Sequence, residues 1–255
     1  MCLIALAWQA HPRYPLVLAA NRDEFHHRPT APAAFWADAP GVFGGRDLSQ
    51  HGSWLAASRG GRIAAVTNVR RMIPPNPHAP SRGVLVSDFV GGSLSCAEYA
   101  DQLSGGAALF SGFNLLLIDR DSALYVTNQP SYRIETLRPG VHGLSNATLD
   151  TPWPKLRRLR DGLSTWVARE QTDEDGLFAL MGDARPADDS ELPDTGVGLE
   201  MERFLSPPFI RGPHYGTRSS SLLLATEGEL HFRERRYGAD GLPSGETDER
   251  IALQS

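Results

Sequence analysis

Positions 2–8 read CLIALAW, an unbroken apolar run without a charge. A run this short suits a strand buried on both faces. The turn-like HPRYP at 11–15 follows, and LVLAA at 16–20 reads as the returning strand of a hairpin. A second hairpin is predicted from the apolar stretches 54–57 and 63–67, which flank RGGR at 59–62. Three more strands are predicted over 113–118, 124–128 and 133–137, with Asp119-Arg120-Asp121 turning between the first two. A last hairpin pairs 219–226 with 229–237 about Glu227-Gly228.

Helical spacing appears between these hairpins. Residues 83–90 and 97–103 read as short helices separated by Gly91-Gly92-Ser93. The clearest helix begins near Pro154, since proline suits a first helical turn and Asp150 and Thr151 stand upstream as caps. Leu156, Leu159, Leu163 and Val167 recur there on one face. Residues 173–181 form a second predicted helix. The stretch 74–80 holds four prolines and reads as an irregular loop, and 182–198 is a surface loop rich in Asp, Pro and Gly. From about 238 onward the chain reads as a polar tail, its last dozen residues fraying. Neither a repeat nor a linker divides the sequence, so a single domain over 1–255 is expected. Strands in hairpins with helices grouped between them predict an α+β protein of mainly antiparallel sheets covered by helices.

Composition narrows the function classes. The chain has 255 residues, 41% of them hydrophobic, which suffices for a sizeable core. A formal net charge of −5 gives no basic footprint for nucleic acid. No apolar stretch approaches the ~18 residues of a transmembrane helix. The start lacks the charged region of a signal peptide, and Asn21-Arg22-Asp23-Glu24 breaks the apolar character early, so a cytoplasmic location is expected. Two cysteines, Cys2 and Cys96, make neither a disulfide framework nor a tetrathiolate zinc site. A bridge between them is disfavoured in a reducing compartment, and Cys96 reads as a small apolar residue at a helix start. The histidines show no HExxH pattern, and P-loop, GxGxxG and GxSxG motifs are missing, so no metal or resident cofactor is expected.

Cys2 carries the strongest chemical signal. Initiator Met is usually removed before a small residue, which would place a thiol and a free α-amine on one residue. The thiolate is the nucleophile, and an amine of pKa about 7.7–8.0 can act as its base. The apolar run behind Cys2 argues for a terminus tied into a sheet. Four polar clusters stand at predicted strand ends: Asn21-Arg22-Asp23-Glu24, Thr67-Asn68, Gly143-Leu144-Ser145-Asn146 and Tyr215-Gly216-Thr217-Arg218-Ser219-Ser220. The first hairpin would bring Arg22 and Asp23 near Cys2, where Arg22 lowers the thiol pKa and Asp23 holds the α-amine or substrate. Asn68 and Asn146 are neutral donors suited to an oxyanion hole, and Arg218 suits a carboxylate or phosphate. Taken singly, each cluster is equally an ordinary solvated turn.

Together, MC at the start, NRDEF at 21–25, GGRD, GSWLA, TNVR at 67–70, GLSNA at 143–147, PWPK at 152–155 and YGTRSS at 215–220 resemble the NRDE family over residues 1 to about 237. That family is similar to the N-terminal nucleophile (Ntn) hydrolases, and within them to bile-salt hydrolases and penicillin V acylases. The resemblance implies a four-layer αββα sandwich of two mainly antiparallel sheets. It implies a site of Cys2 as nucleophile and base, Arg22 and Asp23 beside it, Asn68 and Asn146 for the oxyanion, and Arg218. In the acylases the order is Arg-Asn-X-Asp, whereas here Asn21-Arg22-Asp23 are contiguous. The activity implied is an amidohydrolase or thioesterase acting on a small acyl substrate. The alternative is a non-enzymatic haem or lipid (acyl-CoA) binding and trafficking protein, with the Cys2 thiolate then a ligand of the haem iron.

Overall fold

The computed structural model describes residues 2–70 and 78–254. These fall into two compact units, one of residues 2–27, 70 and 139–250, the other of 28–69, 78–138 and 251–254. The part of the predicted proline loop at 74–77 lies outside the described residues. The architecture is α+β, with one antiparallel sheet in each unit.

In the first unit the sheet runs in the order β10-β1-β2-β11-β12-β13. Its strands are β1 (Cys2–Trp8), β2 (Leu16–Phe25), β10 (Gly140–Leu144), β11 (Tyr215–Ala225), β12 (Glu229–Tyr237) and β13 (Pro243–Ala252). Every residue of β1 is buried, which explains its continuous apolar sequence. Leu3, Ala5, Ala7, Val17, Ala19, Leu222 and Leu224 share a core with helices α3 (Pro154–Ala168) and α4 (Glu174–Met181). The stripe Leu156, Leu159 and Leu163 meets this alanine-rich face, where short strand side chains let the helix approach closely. Burying each leucine contributes about 1.5–3 kcal/mol before its entropy cost.

In the second unit seven strands form a meander in chain order: β3 (Thr30–Trp36), β4 (Ala39–Asp47), β5 (Leu55–Ser58), β6 (Ile63–Asn68), β7 (Phe113–Ile118), β8 (Ala123–Thr127) and β9 (Arg133–Thr136). Helices α1 (Gly83–Gly91) and α2 (Cys96–Ser104) pack on one face through Leu85, Val86, Phe89, Cys96 and Ala100. Ser95 caps α2 in a reciprocal box with Glu98. Both cysteines are free, and Cys96 is buried in the core.

Several expectations need correction. The polar 243–252 stretch does not fray; it forms β13, held to β12 by Arg236 on Thr247 and by His231 and Arg233 on Asp248. Strands β3 and β4 and the short helix α5 (Leu199–Phe204) have no counterpart in the hydrophobic pattern. Helix α3 has Trp153 at its N-cap without a side-chain cap bond. Asp150 instead accepts from the Gly143 N–H at 2.7 Å.

Candidate active site

Strand β2 does not end before the charged motif. It runs through NRDEF, because pairing continues on both sides: Arg22 lies opposite Cys2 of β1, and Asp23, Glu24 and Phe25 lie opposite Thr217, Gly216 and Tyr215 of β11. The first and fourth polar clusters are therefore strand positions of one sheet. Directly opposed residues share a sheet face, which sets Cys2 and Arg22 side by side, while Asn21 and Asp23 point to the helix-covered face. Asn21 is a structural bolt there. It donates to Met181 O and Pro208 O at 2.8 and 2.9 Å and accepts from Ser220 Oγ at 2.6 Å.

Cys2 is 7% exposed. Burial pushes its thiol pKa up, Asp23 adds to the rise, and Arg22 opposes it. A thiol in this setting holds its proton at rest and needs an acceptor at hand. Asp23 is 1% exposed and accepts from Thr217 Oγ1 at 2.8 Å. Burial raises its pKa, against the pull of Lys155. Arg22 is buried, lies 3.8 Å from Glu24, and its Nη1 has no hydrogen-bond acceptor among the described residues.

On the other side of β1, Ile4 pairs with Leu144, so Asn146 two residues on comes level with Cys2. Ser145 Oγ donates to Cys2 O at 3.1 Å, and Asn146 is fully buried with its carbonyl accepting from Arg70 N at 2.7 Å. Arg218 sits at the irregularity between Thr217 and Ser219 in β11. Its Nη1 donates to Phe25 O and His26 O at 2.9 and 3.2 Å, tying down the end of β2. Burial lowers its pKa, and the Arg22 charge lowers it further. Asn68 ends β6 in the second unit, beside Thr67, whose Oγ1 accepts from Asn114. Cys2, Arg22, Asp23, Asn146 and Arg218 are thus all carried by the sheet of the first unit or its immediate continuation.

The sequence reading passed over one residue that belongs with these. Lys155 is the sole lysine; the other 24 of the 25 Lys and Arg residues are arginine. It is 2% exposed, in the first turn of α3, one helical repeat before Leu159 on the apolar stripe. Burial lowers its pKa from 10.5 to about 8, while Asp23 and Cys2 raise it and Arg70 lowers it. Tyr215 faces the same charges, and burial together with Asp23 and Cys2 raises its phenol pKa well above the ordinary value. A lysine on the buried stripe of an amphipathic helix was the available signal, since lysine is almost never fully buried unless paired. Among the described residues no cluster of His, Cys, Asp and Glu has the makings of a metal site.

The Transport and Golgi organisation 2 family matches residues 1–239. The chain belongs to that family. It is 33% identical over 279 residues to the Transport and Golgi organization protein 2 homolog of Bos taurus, covering 100% of both chains. The Homo sapiens homolog is 32% identical, with 97% of each chain covered, and the Drosophila melanogaster protein 29%, with 96% of this chain and 95% of that one. Among solved structures, the Caenorhabditis elegans ortholog of N-acylethanolamine-hydrolyzing acid amidase aligns with a TM-score of 0.53 at 11% identity, over 88% of this chain and 92% of that one. A variant of the conjugated bile acid hydrolase from Clostridium perfringens aligns with a TM-score of 0.52 at 8% identity, over 100% and 97%. These likenesses show that this member of the Transport and Golgi organisation 2 family has an Ntn-hydrolase-like fold.

Proposed function

We propose that this chain is an N-terminal-cysteine amidohydrolase or thioesterase acting on a small acyl amide or acyl thioester. The observation that carries the reading is the first residue of β1: Cys2 lies opposite Arg22 and level with Asn146, within electrostatic reach of Asp23 and Lys155. With Met1 removed, the Cys2 α-amine takes the thiol proton as sulfur attacks the substrate carbonyl. A C–S bond forms, and the Asn146 amide donates to the developing oxyanion. Collapse breaks the C–N or C–S bond, and the ammonium returns its proton to the leaving group. Water then attacks the acyl-enzyme, releasing the acid and restoring the thiol. Asp23 supports the charged α-amine, and Arg22 favours the thiolate.

The test combines intact mass with turnover. The protein purified from its host is expected to lack Met1 and to take up one equivalent of a thiol-directed electrophile at Cys2. Hydrolysis of an acyl amide or thioester panel is expected, and Cys2→Ala abolishes it. Turnover that persists in Cys2→Ala, or a complete lack of turnover in Met1-free protein, refutes the proposal.

A further inference from the structure

Lys155 does more than lie within reach of the Asp23 charge: it also lines a second, adjoining feature. Arg70, Trp153, Lys155, Pro193, Glu202 and Ser206 border one pocket of the first unit. Arg70 is buried, its side chain 7% exposed. Its Nη1 donates to Glu202 at 2.9 Å, and its guanidinium lies 4.7 Å from the Trp153 ring centre. Glu202 is itself fixed from the other side, accepting from Thr195 N at 2.9 Å and Thr195 Oγ1 at 2.5 Å. That leaves Arg70 Nε and Nη2 and Lys155 Nζ. All three are buried nitrogens without an acceptor among the described residues.

A buried donor without a partner costs on the order of 1–3 kcal/mol, and more when it is charged. Three such donors of one sign border one pocket, two of them on an Arg70 held by a stacked indole and an anchored carboxylate, and their complement is an oxyanion. The guanidinium edge presents two parallel N–H groups, the geometry that a carboxylate or phosphate accepts bidentately. The ammonium adds a compact third charge. Ser206 does not compete for such a ligand, because its Oγ donates to Arg203 O and accepts from Ala187 N.

We infer that Arg70 and Lys155 form an oxyanion-binding subsite that seats a carboxylate or phosphate group of the ligand at the foot of α3. As a statement about the substrate it rests on the hydrolase reading; as a statement about binding it stands without it. Lys155 then has two neighbours to serve, Asp23 on one side and the bound anion on the other.

The single lysine gives a direct test. Full-length Cys2→Ala protein, labelled with 13C-lysine, yields one lysine Cε resonance. It is titrated with inorganic phosphate and, separately, with acetate, at ionic strength held constant with sodium chloride. A saturable shift with at least one anion is expected, together with a rise in the pH midpoint of that resonance. Saturation by phosphate in preference to acetate assigns a phosphate ligand, and the reverse a carboxylate. Lys155→Met, which keeps the buried volume, is expected to weaken binding of the preferred anion about tenfold, or about 1.4 kcal/mol, read as the anion-dependent rise in thermal midpoint. No saturable shift with either anion overturns the inference, as does an unchanged response in a folded Lys155→Met protein. Because the titration uses a protein without its thiol, loss of hydrolysis in the parent chain sinks the enzyme reading alone.

Discussion

Lys155 carries its charge where water does not reach, and its stability signature follows from that. Its pKa is 10.5 in an open chain and about 8 in the folded one. Between those values the unfolded chain binds more protons, so this residue's contribution to stability rises with pH across the window. Below pH 8 both states are protonated and the full penalty remains, about 3 kcal/mol from the size of the shift. Buried Cys2, Tyr99 and Tyr215 have raised pKa values and act in the opposite sense over part of this range. The comparison with Lys155→Met separates the two. In urea unfolding the parent is expected to gain about 3 kcal/mol relative to Lys155→Met between pH 7.5 and 10.5. A constant difference would show that the ammonium is hydrated in the folded state. At this scale the nearness of Arg22 and Asp23 to Cys2 was legible, because a hairpin after a buried first strand must return 21–24 to the strand's start. Lys155 and Arg70 were not, because their partners come from 23, 153 and 202, and no local pattern links those positions.

The elements place these residues through close contacts, and Gly143 makes one of them. It stands in β10 opposite Ala5 of β1, and a Cβ there would lie 2.8 Å from Leu156 Cδ1 of α3. Overpacking at such a contact costs about 1–3 kcal/mol. Gly143→Ala is therefore expected to lower the urea midpoint by that equivalent and to shift the first turn of α3, disturbing the adjacent Lys155. An unchanged midpoint would mean that Leu156 repacks without strain. Helix α3 and the central hairpin were legible from period alone, whereas β3 and β4 were not. Their segment carries Pro32, Pro40, Gly41 and Gly45, which the meander accommodates at register irregularities between β3 and β4. The sequence pattern ends β2 five residues short because Asn, Asp and Glu are poor strand formers in isolation. Neighbours on both sides outweigh that preference.

At the scale of the whole chain, the architecture followed from the order of hairpins and helix groups, but the closing strand did not. Strand β13 is polar and joins β12 through charged pairs, including Arg235 with Glu246 and Arg250 with Glu229. Its removal would leave β12 as an edge with unpaired backbone groups. A chain ending at residue 242 is expected to unfold at lower urea and to aggregate faster on warming, measured by light scattering. An unchanged midpoint would show that β13 adds nothing to the sheet. The charge pattern has one more consequence. With its sole lysine sealed at the foot of α3, the folded chain offers no lysine ε-amine to solvent. Enzymes that tag lysines, and amine-reactive labels, find an ε-amine only when the first turn of α3 opens. Modification of Lys155 thus becomes a clock for that opening, written on the same residue that holds the pocket together.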